Sequence, residues 1–132
     1  MKEVLDSRLL LEYFYFKDPA IQQKAERKMK DLALNENGII PTIVIVETIQ
    51  FICSKKGKTI AEQVYLAINA SGLKVESLSP SIAKEAGLLK SSHMDVPTGD
   101  CIIAAIAIKN QAKVISDDPH FDAIKEIKRI WL

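Results

Sequence analysis

The sequence predicts an α/β domain, a mostly parallel sheet flanked by helices, and three observations lead there. Short apolar or β-branched runs recur at Val4-Leu5, Ile39-Ile40, Leu73 to Glu76 and Lys113 to Ser116. The stretches between them are long enough for helices and carry helical periodicity, so neighbouring strands pair in parallel through crossovers. No repeat, low-complexity stretch or Gly/Ser linker divides the chain, which reads as one domain over residues 1–132.

Each element has a local reason. Val4-Leu5 stops on the polar pair Asp6-Ser7, and Ser7 is placed to cap a helix over Leu9 to Phe16. Asp18-Pro19 opens a helix over about residues 19–34, with proline in its tolerated first turn and Ile21, Ala25, Met29 and Leu32 on one stripe. Asn35 to Gly38 suits its left-handed exit. Ile39-Ile40 is a strand. From Ile43 to Ile52 strand and helix compete; Glu47, Gln50 and Ser54 fall on one stripe at helical spacing, which favours helix. Lys58-Thr59 starts a helix ending at Ser71-Gly72, and Leu73 to Glu76 alternates as a strand. Ser79-Pro80-Ser81 begins a helix to about Ser91. Pro97 to Asp100 introduces another, whose body from Cys101 to Ile108 is apolar all round and so buried. Lys113 to Ser116 is a strand ending on Asp117-Asp118, and Lys128 to Leu132 a last one.

Composition narrows the function. The chain is 48% hydrophobic and 27% charged with a net charge of +1, an ordinary globular balance. Residues 1–66 hold ten basic against nine acidic side chains and residues 67–132 eight against eight, so no charged tail advertises a partner. The longest apolar run, Cys101 to Ile108, falls far short of the roughly 18 residues that span a bilayer. Lys2, Glu3 and Asp6 interrupt any secretory leader, so a cytoplasmic protein without membrane contact is expected, and the Asn69-Ala70-Ser71 sequon is set aside. Cys53 and Cys101 have neither metal-site spacing nor disulfide density.

The chemistry gathers on acids. In open α/β sheets ligands bind beyond the carboxyl ends of the strands. Asp6 follows the first strand and Asp117-Asp118 follow the Val114-Ile115 strand, although an acid after a strand also serves as a plain turn residue. Asp100 opens the most buried helix, where the dipole alone favours a carboxylate by roughly 0.3–1 kcal/mol. Glu47 interrupts an apolar helix and needs a partner, a salt bridge or a ligand. Four acids at one rim raise each other's pKa unless a divalent cation sits among them. With no His/Cys cluster, Mg²⁺ or Mn²⁺ is expected rather than zinc, with chemistry on phosphate esters. Ser7 and Ser116 lack a Gly-x-Ser-x-Gly elbow, and no Gly-rich phosphate loop is present. His93 reads as a solvated helix end; His120 lies two residues beyond Asp118 and is a candidate for indirect support of the site. Lys55, Lys56 and Lys58, with Lys24, Arg27, Lys28 and Lys30, offset repulsion of an RNA backbone if they flank the crevice.

In order along the chain, Val-Leu-Asp6-Ser7, Pro41-Thr-Ile-Val-Ile-Val-Glu47, Thr98-Gly-Asp100-Cys-Ile-Ile-Ala-Ala and Ile115-Ser-Asp-Asp118-Pro-His-Phe121 resemble a PIN domain. The resemblance runs over essentially the whole chain. It implies a three-layer α/β/α sandwich around a parallel sheet of about five strands, and a Mg²⁺- or Mn²⁺-dependent ribonuclease. Chains of this size resemble the VapC toxins of toxin–antitoxin modules, which implies RNA as substrate, a homodimer and a cognate antitoxin partner. Asp6, Glu47, Asp100 and Asp118 match the family's acidic quartet, as catalytic residues and metal ligands. Ser116 aligns with the family's hydroxyl position, making Asp118 the ligand and Asp117 accessory; Ser7 and Ser116 would orient carboxylates or water. His120 stands where many members carry another acid, which weakens a second metal site more than the first. Alternatives are a catalytically silent scaffold that binds RNA or protein, and an RNA-processing nuclease without an antitoxin. A phosphoacceptor signalling domain fits worse, because Asp6 stands alone after its strand and the Leu73 to Val75 strand leads only to Glu76.

Overall fold

A computed structural model describes residues 1–132. The elements run β1 (Glu3–Leu5), α1 (Ser7–Phe14), α2 (Pro19–Leu34), β2 (Gly38–Pro41), α3 (Thr42–Lys56), α4 (Lys58–Asn69), β3 (Lys74–Glu76), α5 (Pro80–Ser92), α6 (Thr98–Lys109), β4 (Lys113–Ile115) and β5 (Arg129–Ile130). All five strands are parallel, in the order β3-β2-β1-β4-β5. With six helices packed about this sheet the fold is the three-layer α/β/α sandwich. No helix is long and apolar enough to cross a membrane.

Strand order has a consequence for the site. The chain lays β2 and β3 to one side of β1, then returns to place β4 and β5 on the other. The direction therefore switches between β1 and β4, and a crevice opens beyond their carboxyl ends. Val4, Leu5, Val114 and Ile115 are fully buried, as central parallel strands covered on both faces require. Helix α6 is buried from Asp100 to Ala107 and packs against β1 and β4, so its first turn is delivered to that crevice.

The segment from Ile43 to Ile52 is helical. Val44, Thr48 and Ile52 form its buried stripe at four-residue spacing, which outweighs the β-branched composition. The cap of α1 differs from expectation. Asp6 itself is the N-cap, accepting from the Ser7 amide at 2.7 Å, and Ser7 is the first helical residue. Aspartate caps as well as serine, and Asp6 keeps the extended backbone that an N-cap needs (φ −80°, ψ 162°), so the helix begins at Ser7. A 3-10 turn over Pro119–Ala123, unread in the sequence, follows β4 and buries Phe121.

Gly38 begins β2 where nothing larger fits. A Cβ there would lie 2.7 Å from Leu73 Cγ and 3.1 Å from Leu32 Cβ. Overpacking of this kind costs about 1–3 kcal/mol, so Gly38→Ala is expected to lower the melting temperature by several degrees in a thermal melt. An unchanged melt would mean that Leu73 moves aside freely.

Candidate active site

Four acids reach the crevice from four elements. Asp6 ends β1, Asp118 follows β4, Asp100 sits in the first turn of α6, and Glu47 projects from the second turn of α3. Asp6 is the most firmly held. One carboxylate oxygen accepts the Ser7 amide and the other the Ser116 hydroxyl, 2.6 Å away, across 110 residues of sequence. Burial raises its pKa, the Ser116 and Ser7 bonds draw it back down, and Asp118 and Asp117 add repulsion. Ser116 is completely buried and its hydroxyl also accepts the Asp118 amide at 3.0 Å. One hydroxyl thus ties the ends of β1 and β4 together.

Asp118 Oδ1 accepts the backbone amide of His120 at 2.9 Å and faces the His120 Nδ1 at 2.8 Å. That Nδ1 lies 3.9 Å from Asp100 Oδ2. Donor atoms of Asp100, Asp118 and His120 all fall within 4.8 Å of one another, a spacing one ion can bridge. His120 therefore belongs to the cluster itself, a larger role than its sequence position suggested. The 3-10 turn explains the difference, because it folds the ring back over Asp118.

Asp100 and Glu47 are the electrostatically unresolved members. Asp100 Oδ2 and Glu47 Oε1 are both buried without a hydrogen-bond partner. Burial, then the charges of Asp6, Asp118 and Glu47, push the Asp100 carboxyl up to about 7, against a smaller opposing pull from His120. Glu47 is raised by burial and by Asp6, with the Ser7 hydroxyl acting the other way. The salt bridge that would have explained Glu47 structurally is absent: its Oε2 lies over Gly99, where a Cβ would stand only 3.1 Å away. A glycine at the start of α6 thus lets the α3 carboxylate approach.

Asp117 is turned out of the cluster. It pairs with Arg8 at 3.1 Å, and Arg8 also reaches Glu12 at 4.0 Å. His93, half-buried, caps α5 and points its Nδ1 at the Leu89 carbonyl, 2.9 Å away. Glu76, at the end of β3, is bonded to Lys109 and Asn110 at 3.0 Å each; burial opposes these contacts, but together they hold its pKa low. Neither belongs to the site. Of the α2 cations, Lys28 pairs with Glu3 at the opposite, amino-terminal end of β1 and so does not flank the crevice.

Donors dominated by carboxylates, two of them with a buried oxygen lacking a partner, fit a hard divalent cation. Without one, Asp100 stays partly protonated near neutral pH.

Comparison with known proteins agrees with this architecture. The DNA-bound VapBC2 complex of Rickettsia felis contains a chain superposing with a TM-score of 0.80 at 21% identity, covering 99% of this chain and 98% of that one. VapC20 of Mycobacterium tuberculosis, a toxin that cleaves the sarcin-ricin loop, matches with a TM-score of 0.75 at 16% identity over 94% and 95% of the two chains. DNA-bound VapBC of Salmonella typhimurium gives 0.73 at 19% identity over 99% and 98%. Identities this low establish a shared fold. No curated protein matches the sequence significantly. The PIN domain family model matches residues 4–127, nearly the whole length, and the chain belongs to the PIN domain family.

Proposed function

We propose that this chain is a metal-dependent endoribonuclease and the toxin of a toxin–antitoxin module. The observation that carries the reading is the convergence of Asp6, Glu47, Asp100 and Asp118 at the sheet's switch point, with buried carboxylate oxygens left unpartnered. Asp100, Asp118 and His120 would hold Mg²⁺ or Mn²⁺, with Asp6 and Glu47 facing the same cation. Such an ion, when bound, acidifies a water and offsets charge on the leaving oxygen. The protein supplies the rest. Asp6 is locked by Ser7 and Ser116 and needs no reorganisation before reaction. Asp100 or Asp118 positions the attacking water in line with the leaving 3′ oxygen. Asp117, fixed by Arg8, supports the loop that carries Asp118.

Toxin and partner come from the structural neighbours, several of which are toxin–antitoxin complexes. A cognate antitoxin and a homodimer fit the apolar surface left open on α3 and α5, where Val46 is 61% and Leu88 58% exposed. Expressed alone in a bacterial host, the chain is expected to arrest growth and leave RNAs with new internal ends, whereas Asp118→Asn does neither. Unimpaired growth with intact RNA would remove the toxin reading.

A further inference from the structure

One cluster, at the end of α1 and on α3, plays no part in the proposed hydrolysis. Tyr15, Phe16 and Phe51 form a triangle of rings with centroids 5.0 Å (Tyr15–Phe51), 5.1 Å (Tyr15–Phe16) and 5.9 Å (Phe16–Phe51) apart. All three are half-buried, seated on the core but open on one side. Each carries its own cation: Arg8 lies over Phe16 at 5.4 Å, Lys55 over Phe51 at 5.8 Å and Lys56 over Tyr15 at 5.9 Å. Packing alone explains rings on a core. Lys55 reaches Phe51 from the next turn of α3, whereas Lys56 crosses from α3 to Tyr15 and Arg8 lies over Phe16, so basic groups gather on the open side of the rings.

Position supplies the rest. Phe51 follows Glu47 by one turn of α3, about 6 Å along the helix, and so shares its side. Arg8, which covers Phe16, also holds Asp117 next to Asp118. The ledge therefore lies one helical turn from Glu47 and is tied through Arg8 to Asp117, the neighbour of Asp118 in the chain. Those carboxylates repel a phosphate backbone, and the cations here offset that repulsion where a strand would leave the crevice. Aromatic rings interleaved with basic groups are what single-stranded nucleic acid requires, because every base has a face to stack and every linkage a charge to neutralise.

We propose that the face of Phe51, braced edge-on by Tyr15 (interplanar angle 85°) with Phe16 tilted beside it, is a stacking platform for one unpaired nucleobase of the RNA strand leaving the crevice. The base replaces an ammonium group on the ring face, and the displaced lysine turns to the adjoining phosphate. The assignment rests on the ribonuclease reading of the neighbouring acids. It implies preference for loops and single strands, since duplex bases are already stacked on each other.

The test is binding without turnover, in chelator, using a short unstructured RNA with one 2-aminopurine and the same RNA abasic at that position. Wild type should bind the base-containing RNA about 5- to 100-fold more tightly, with fluorescence quenched as the base stacks. Phe51→Leu should lose that advantage and the quenching, and Phe51→Tyr, which keeps a ring, should retain both. Lys55→Ala, at an exposed position that leaves the fold alone, should weaken the base-containing RNA and flatten its salt dependence, and should change the abasic RNA less, because no base displaces the lysine toward a phosphate there. Equal affinity for the two RNAs, or an advantage that survives Phe51→Leu, would overturn the platform. A clear base advantage in a protein that cuts no RNA with Mg²⁺ or Mn²⁺ would leave the platform standing and remove the nuclease.

Discussion

Asp6→Asn is expected to lower RNA cleavage at least about 100-fold while the melting temperature stays within about 3 °C of wild type. Asparagine caps a helix as well as aspartate does, so the start of α1 survives. Its amide oxygen keeps the Ser7 bond. The other position becomes an NH₂ facing Ser116, whose hydroxyl then accepts from it as well as from the Asp118 amide; the O–H left without its acceptor is offset by removal of a buried charge. The charge is what disappears. Losing a group that merely orients a metal ligand costs roughly 10- to 100-fold, and a carboxylate facing the cation lies at or beyond the upper end. Initial rates on one RNA, alongside thermal melts, separate the two effects. Cleavage at the wild-type rate would take Asp6 out of the mechanism.

The second large effect runs in opposite directions for stability and activity. Asp100→Asn should abolish cleavage and yet stabilise the cation-free protein by about 1–3 kcal/mol, the usual cost of a buried group left unpartnered. For a domain of this size that is roughly 3–5 °C of melting temperature per kcal/mol. The helix dipole favours a charge at this first-turn position by only about 0.3–1 kcal/mol, and burial together with three neighbouring acids outweighs it. The pH dependence follows from the raised pKa. A carboxyl that titrates near 7 when folded, against an ordinary 3.8, binds more protons in the native state. Its destabilising charge is fully present above about pH 7 and is removed as pH falls toward 4. The gap between variant and wild type should therefore be widest above neutral pH, shrink on acidification, and narrow again when Mg²⁺ or Mn²⁺ is added. Melts of both proteins across that range check it. Equal stability at every pH would mean that the Asp100 charge is better solvated than its surroundings indicate.

Much of this was legible in the sequence because the signals are local. The Ile21, Ala25, Met29 and Leu32 stripe of α2, the proline openings of α2 and α5, and the uniformly apolar body of α6 depend on neighbours a few residues away. The acids were legible for the same reason: Asp6, Asp100 and Asp118 sit at a strand end or helix start, and Glu47 interrupts an apolar helix. Contacts between distant segments were not. The Ser116–Asp6 bond spans 110 residues and the Arg8–Asp117 pair 109, so the hydroxyl link and the turning away of Asp117 required the strand order. His120 was undervalued because a 3-10 turn that begins on a proline has no periodicity to read. Aspartate two residues before it, followed by that proline, is the available signal, since an Asp side chain can accept the amide two residues on. The Tyr15–Phe16–Phe51 cluster likewise joins the end of α1 to α3, with three cations beside it, and no local pattern announces it.

The central claim, that these carboxylates make a metal-dependent ribonuclease, is tested most directly by one cleavage measurement. Wild-type protein is incubated with a mixed pool of structured and single-stranded RNA in Mn²⁺, in Mg²⁺ and in chelator, and the new ends are mapped. Discrete cuts that need the cation and vanish in chelator are the predicted result. Folded protein that leaves the pool intact under all three conditions would contradict the claim and make the chain a PIN scaffold that acts by binding.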